Sequence, residues 1–324
     1  MKHLPVVVAM IAIAVPCAAV DIATKVGTTG TYNYVVDGSD GLLYRTLHGD
    51  GTSQRFDIAI VGDGYQKTDA DQWRFGAAVE KFVAGLFAVS PFSEAREYIN
   101  ISLVNLISTD SGIDDPETPP TPPLVRDTAL DCSFVIGSME ITGDTNKAFE
   151  ACNLAGVAFD VVYVIVNDSK GHDGSWANYA SRIAYSSDLY PWGTIIAHEL
   201  GHLIADLADE YRAPDCNPCG SNLNLVTFTA EWIPDEPNVT TATDSSLVSW
   251  ANLMQTGAFP TTIDSVSDGD TIGRWEGAAM ECFGIYRPRE YCLMDGTTGD
   301  DPVIDDFCPV CVRAIVERLE NWHP

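Results

Sequence analysis

The stretch 'HELGHLIADLADEY', His198 to Tyr211, follows the apolar run Ile195-Ile196-Ala197 and constrains the fold more than any other part of the chain. In a helix successive residues turn by about 100°, so His198 and His202 project from one face, one turn apart, with Glu199 beside them. Ile195, Ile196, Leu200, Leu203 and Ile204 give the same helix a side to bury. Two imidazoles so spaced can grip one ion, and zinc makes the pairing chemical. It lowers the pKa of a water towards neutrality and polarises a carbonyl, while the glutamate takes the water's proton and passes it to a leaving amine.

Such a site needs a third protein ligand. The other histidines past residue 20 are His48, His172 and His323, and none follows within reach, so a carboxylate is expected, with Asp206, Asp209 and Glu210 as the local candidates. On a continuing helix Asp209 would lie about 10 Å along the axis from His202, too far to share an ion. The chain must therefore turn after about Ile204 if Asp209 is the ligand. Pro214 and the 'CNPCG' turn stop the helix soon afterwards in any case.

Upstream, 'RFDIAIVGDGY' (55 to 65) reads as a buried strand, and residues 69 to 87 place Trp73, Phe75, Val79, Phe82 and Leu86 near helical spacing. 'INISLVNLIS' (99 to 108) is a second strand, and 'PETPPTPPLV' (116 to 125) is a proline-rich loop. 'FDVVYVIVN' (159 to 167) is a third strand, apolar throughout and so buried on both faces. Strands alternating with helices argue for helices layered on a sheet. From Arg212 onward the chain is rich in Asn, Pro, Gly and Thr, and it closes on a helix around 'VCVRAIVERLENW' (310 to 322).

The formal charge of −28, from 46 acidic against 18 basic residues, opposes a phosphate-tracking surface, so no nucleic-acid partner is expected. The acidic stretches 'DSGIDDPE' (110 to 117) and 'DGTTGDDPVIDD' (295 to 306) offer oxygen ligands of the kind calcium prefers, without the spacing of a known calcium loop. The opening 'MKHLPVVVAMIAIAVPCAAV' has a cationic start, a short apolar run and small residues at its end, which reads as a secretory signal; no later segment is long enough to span a membrane. Beyond it stand eight cysteines, an even number for which disulfides are the default in an exported chain. Cys282 is the first-choice partner for Cys292, closing a loop of roughly ten residues. The pairs Cys216/Cys219 and Cys308/Cys311 could instead build a four-thiolate zinc site.

The blocks 'VGDGY' (61 to 65), 'PFSEAREYINI' (91 to 101), 'DSGID' (110 to 114), 'DVVYVIVN' (160 to 167), 'HELGHLIADLADEY', 'WEGA' (275 to 278), 'YRPREYCLM' (286 to 294) and 'FCPVC' (307 to 311) occur in this order. In them the chain resembles the IgA-peptidase family of secreted zinc metallo-endopeptidases, within the metzincin group, from roughly residue 55 to the end. The resemblance implies that Met294 of 'CLM' forms a turn beneath the metal, where the residue alone would read as ordinary core. Metzincins usually carry a glycine three residues past the second histidine and the third ligand three residues later. Those positions are Ala205 and Ala208 here, so the family's 'LADEY' implies Asp209, one step further, with Glu210 as the alternative. Nothing in the residues points to immunoglobulin as substrate.

The expected fold is α/β (α+β), a metzincin-like domain with a twisted mixed sheet, an active-site helix and an irregular C-terminal half with a methionine turn and a closing helix. Its expected divisions are a signal peptide at 1 to 20, an N-terminal extension at 21 to 54, and a catalytic domain at 55 to 324 whose halves meet near residue 204. The expected function is that of a secreted, extracellular or periplasmic, zinc endopeptidase acting on polypeptides. His198, His202 and Asp209 would hold Zn2+, Glu199 would act as general base, and Ca2+ is a second candidate ion. A polypeptide would lie along an edge strand near 'ASRIAYSS' (180 to 187). The rival readings are a zinc amidase on cell-wall or glycan-linked amides and a catalytically silent, cation-stabilised adhesion module. Glu199 argues against the silent module, since a structural site needs no spare carboxylate. The sequence leaves the oligomeric state open.

Overall fold

The computed structural model describes residues 25–29, 32–36, 44–49, 54–116, 123–135, 140–168, 174–178, 180–189, 193–212, 236–254, 271–296 and 306–323. Along the chain the strands are β1 (Lys25–Thr29), β2 (Tyr32–Val36), β3 (Tyr44–His48), β4 (Phe56–Asp63), β5 (Ile99–Val104), β6 (Leu106–Ile107), β7 (Ser133–Phe134), β8 (Ile141–Thr142), β9 (Val161–Val166), β10 (Ser175–Asn178), β11 (Ile183–Ser187), β12 (Trp275–Ala278) and β13 (Glu281–Arg287). The helices are α1 (Asp69–Leu86), α2 (Thr145–Ala155), α3 (Gly193–Ala205) and α4 (Pro309–Glu320).

The main sheet has six strands in the order β10-β11-β9-β4-β5-β3. Its four inner strands are parallel, and each edge strand runs antiparallel to its neighbour, which makes the sheet mixed as expected. β9 is buried along its whole length, in keeping with its unbroken apolar sequence. Ile58, Ile60, Tyr163 and Ile165 face a core shared with α1, α3 and α4, while Ala59, Val61, Val162, Val164 and Val166 face a second core shared with α2. Residues 44 to 48, read as part of an N-terminal extension, supply an edge of this sheet through β3. Smaller pairings join β1, β2 and β6, join β7 to β8, and join β12 to β13.

α1 is capped by Thr68, whose hydroxyl accepts from the Asp71 N–H, and it buries Phe75, Val79, Phe82 and Leu86. Trp73 is not part of that face and is 77% exposed. α2 has its own pair of stops, Asp144 accepting from the Asn146 and Lys147 N–H groups and Gly156 closing the far end in the left-handed region. The expected edge strand is also corrected. β11 has sheet partners on both sides and is buried throughout, whereas β10 is the edge, reached by the turn that reverses the chain before β11. No helix among the described residues is long and apolar enough to cross a membrane.

What places α3 is a close backbone approach to α1. A Cβ at Gly193 would stand 2.2 Å from the Gly85 carbonyl oxygen, so the first residue of α3 must lack one. Gly193→Ala is expected to push the helices apart and to cost about 1–3 kcal/mol, the usual penalty of overpacking. Urea unfolding of the purified variant checks this, and an unchanged midpoint would contradict the packing described.

Candidate metal centre

α3 carries His198, Glu199 and His202 and stops at Ala205, where sequence spacing requires a turn. The reversal falls on Asp206, which adopts a left-handed φ of 50°. Aspartate tolerates that region better than most residues, and here it fills the role that glycine has at many helix ends. The Leu207 N–H then returns to the Gly201 carbonyl at 3.4 Å, and Arg182 donates to the Leu203 carbonyl at 2.6 Å, so two carbonyls of the last turn are engaged. Asp206 itself points outward, its carboxylate 3.9 Å from Arg182 and half exposed.

The reversed segment brings Asp209 back across the histidines. Its Oδ1 lies 3.1 Å from His198 Nε2 and 3.3 Å from His202 Nε2, and the two Nε2 atoms are 3.1 Å apart. Ligands about 2.0–2.1 Å from a tetrahedral zinc stand about 3.3–3.4 Å from one another, so the triangle has the size such an ion needs. The other ring nitrogens are already committed: His198 Nδ1 meets the Leu293 carbonyl at 2.9 Å, and His202 Nδ1 meets the Leu207 carbonyl at 2.6 Å. A carbonyl only accepts, so each Nδ1 carries a proton and each Nε2 is the nitrogen turned to the shared point, where an ion would displace any proton and take the lone pair. Asp209 Oδ1 is buried without a conventional donor, while Oδ2 accepts from the Tyr211 hydroxyl at 3.0 Å. The residues present therefore fit a divalent cation.

The segment bearing Asp209 is held along its length. The Asn238 side-chain amide both accepts from and donates to Ala208, each at 2.8 Å, and the Glu210 N–H donates to the Met294 carbonyl at 2.6 Å. Ala279 and Met280, the turn between β12 and β13, donate to the Asp209 and Tyr211 carbonyls at 2.9 and 3.0 Å. Arg287, almost fully buried, donates to the Glu210 and Gly277 carbonyls and to Asp295. Met294 lies beneath α3, where a Cβ on Gly201 would come within 3.1 Å of its sulfur. Gly201, between the two histidines, thus leaves room for the Met294 side chain.

Burial pushes the Glu199 carboxyl above its ordinary range, against the pull of the two histidines and a bond to the Ser175 side chain. Burial also disfavours charge on His198, yet its contact with Asp209 outweighs this and raises it to about 9. Burial opposes ionisation of Asp209 as well, but the two histidine contacts hold it well below the carboxylate range. A cavity of about 330 Å³ opens beside these groups, lined by Ser175, Trp176 and Ala177 of β10, by Tyr211 and by Met280.

Of the residues singled out in the sequence, His198, His202 and Asp209 converge, with Glu199 on the same helix and Met294 below. Glu210 does not join them. It is fully buried on the other side of the segment, with Asn238 and Cys311 on its carboxylate. Cys292 is a free thiol beside Cys308 and Cys311, so the expected bridge to Cys282 is not formed. The signal segment, His172 and Cys216 and Cys219 lie outside the described residues, as does most of the second acidic stretch. In the first, Asp110 and Asp114 accept backbone N–H bonds from Asp127 and Arg126. The sequence reading missed Tyr211, Asn238, Gly201 and Arg287. Tyr211 and Gly201 stand in the histidine motif and Arg287 in 'YRPREYCLM', whereas Asn238 has no local signal.

No curated protein matches the chain. Among solved structures, 13 chains match. One is described as "Structure of a chaperone-substrate complex", 12% identical with a TM-score of 0.26, where the match covers 50% of this chain and 26% of that one. A likeness this weak says nothing about fold or function. The family model described as IgA Peptidase M64 matches residues 46–268, a span that holds the histidine helix, Asp209, five strands of the main sheet and the last part of β3. Since that match takes in well over half of the sequence, the chain belongs to the IgA peptidase M64 family of peptidases.

Proposed function

We propose that the chain is an exported zinc-dependent endopeptidase in which His198, His202 and Asp209 hold the ion and Glu199 is the general base. The observation that carries this reading is the convergence of two Nε2 atoms and one carboxylate oxygen at the wall of an open cavity. Two imidazoles and a carboxylate suit zinc, and three protein ligands leave a coordination position open, as in hydrolytic sites. When bound, the ion would supply Lewis acidity towards the scissile carbonyl and the attacking water.

The chain's own groups do the rest. Glu199 takes the proton of the attacking water and delivers it to the amine nitrogen as the peptide bond breaks. A buried carboxylate with a raised pKa is a better base than an exposed one. Tyr211 fixes Asp209 through Oδ2 and so keeps Oδ1 aimed at the ion. β10 borders the cavity and is an edge of the sheet, so an extended polypeptide can pair with its backbone and lie across Glu199. That open edge favours a polypeptide over a compact amide.

Purified protein should cleave denatured casein, lose that activity to a chelator and regain it with zinc; activity indifferent to chelation would overturn the assignment. Glu199→Gln should retain the metal and lose roughly 10²–10⁴-fold in kcat, because an amide can hold water but cannot take its proton. Near-normal turnover with normal metal content would rule Glu199 out as the base.

Asp209→Ala should weaken zinc binding at the histidine pair steeply, because it removes one of three ligands. Asp206→Ala should leave that affinity close to wild type. Competition with a chromogenic chelator measures both, and the reverse ranking would move the ligand to Asp206.

A further inference from the structure

Behind the segment that carries Asp209 lies a second group of ligand atoms that the peptidase reading does not use. Glu210, Cys292, Cys308 and Cys311 are all buried, and one potential ligand atom from each lies within 4.8 Å of the others. Cys292 Sγ and Cys308 Sγ stand 3.7 and 3.6 Å from Cys311 Sγ, and Glu210 Oε1 stands 3.2 Å from it. A disulfide requires about 2.05 Å, so none of these pairs is bonded. Thiolates about 2.3 Å from a tetrahedral zinc stand about 3.8 Å apart, close to the spacing here.

Three further observations point to an ion. Glu210 Oε2 is buried without a hydrogen-bond partner, a costly state for a carboxylate that nothing neutralises. The Cys308 N–H donates to Cys292 Sγ at 3.2 Å, the arrangement expected when that sulfur is an anionic acceptor. Cys308 holds the N-cap position of α4 and Cys311 sits in its first turn, where the helix favours negative sulfur. Three cysteines also cannot all be consumed by disulfides among themselves. A metal would use all three and the carboxylate as well.

We propose that Glu210, Cys292, Cys308 and Cys311 form a second, structural zinc site, closed by four protein ligands and placed back to back with the histidine site. Glu210 and Asp209 are neighbours in the chain and point to opposite sides of it. The ion would therefore tie the segment carrying Asp209 to the methionine turn, through Cys292, and to α4, through Cys308 and Cys311. A closed four-ligand site has no position for substrate, so its role is to brace. The inference stands independently of the peptidase reading, since it concerns a site with different residues and no catalytic base.

The test is metal analysis of the full-length protein in three forms. Wild type should hold about two zinc ions per chain and the double variant His198→Ala/His202→Ala about one. In the double variant reconstituted with cobalt, thiolate-to-cobalt charge-transfer absorption should remain and should disappear in Cys308→Ser/Cys311→Ser. Should the cysteine variant fail to fold, the spectrum of cobalt-loaded wild type decides, because the histidine site has no sulfur to produce that band. A folded His198→Ala/His202→Ala protein that binds no zinc would overturn the proposal. So would wild-type mass mapping that finds any of Cys292, Cys308 or Cys311 in a disulfide.

Discussion

The reversal of the chain at Asp206 is the constraint on which the site depends. A helix presents two histidines at the right spacing but cannot bring a later residue back to them, so the third partner requires the helix to end within one turn of His202. Asp206 accepts the left-handed conformation that ending needs, and Arg182 and the Leu207 N–H bond the Leu203 and Gly201 carbonyls of its last turn. The returning segment then runs as a partition, with Asp209 facing the histidines and Glu210 facing the cysteines.

A partition of six or seven residues would be mobile if its backbone were free, and here most of its polar groups are engaged. Asn238 brackets Ala208, Met294 receives the Glu210 N–H, Arg287 takes the Glu210 carbonyl, and the turn of the β12–β13 hairpin donates to Asp209 and Tyr211. Each such bond contributes only about 0.5–1.5 kcal/mol net, but their combined effect is to leave the Asp209 carboxylate one place to be. The Leu293 and Leu207 carbonyls do the same for the imidazoles, because they fix which nitrogen carries the proton. Preorganisation of this kind lets a small ligand set hold an ion in a partly open cavity.

The histidine helix, the buried strand at 161 to 166, the closing helix and the need for a turn before Asp209 were legible because each rests on local periodicity or spacing. Trp73 was misread because it sits two residues, about 200° of helical turn, from Phe75 and so lies on the opposite face. The edge strand was misplaced because 'SWAN' is only four residues long and has no clear alternation, while the more apolar run after it is an inner strand. Glu210 was open as an alternative ligand until the direction of consecutive side chains was known. Compartment and nearness in sequence favour Cys282 as the partner of Cys292. The neighbours of Cys292 are Glu210, Cys308 and Cys311, and only tertiary packing brings the four together.

Anomalous diffraction from crystals of the zinc-loaded protein, recorded on both sides of the zinc absorption edge, tests the central claim most directly. The account predicts a peak about 2.0–2.1 Å from the Nε2 atoms of His198 and His202 and about 2.0–2.2 Å from Asp209 Oδ1, on the side of the cavity bordered by β10. An active, zinc-loaded protein with no peak between those three atoms would contradict it.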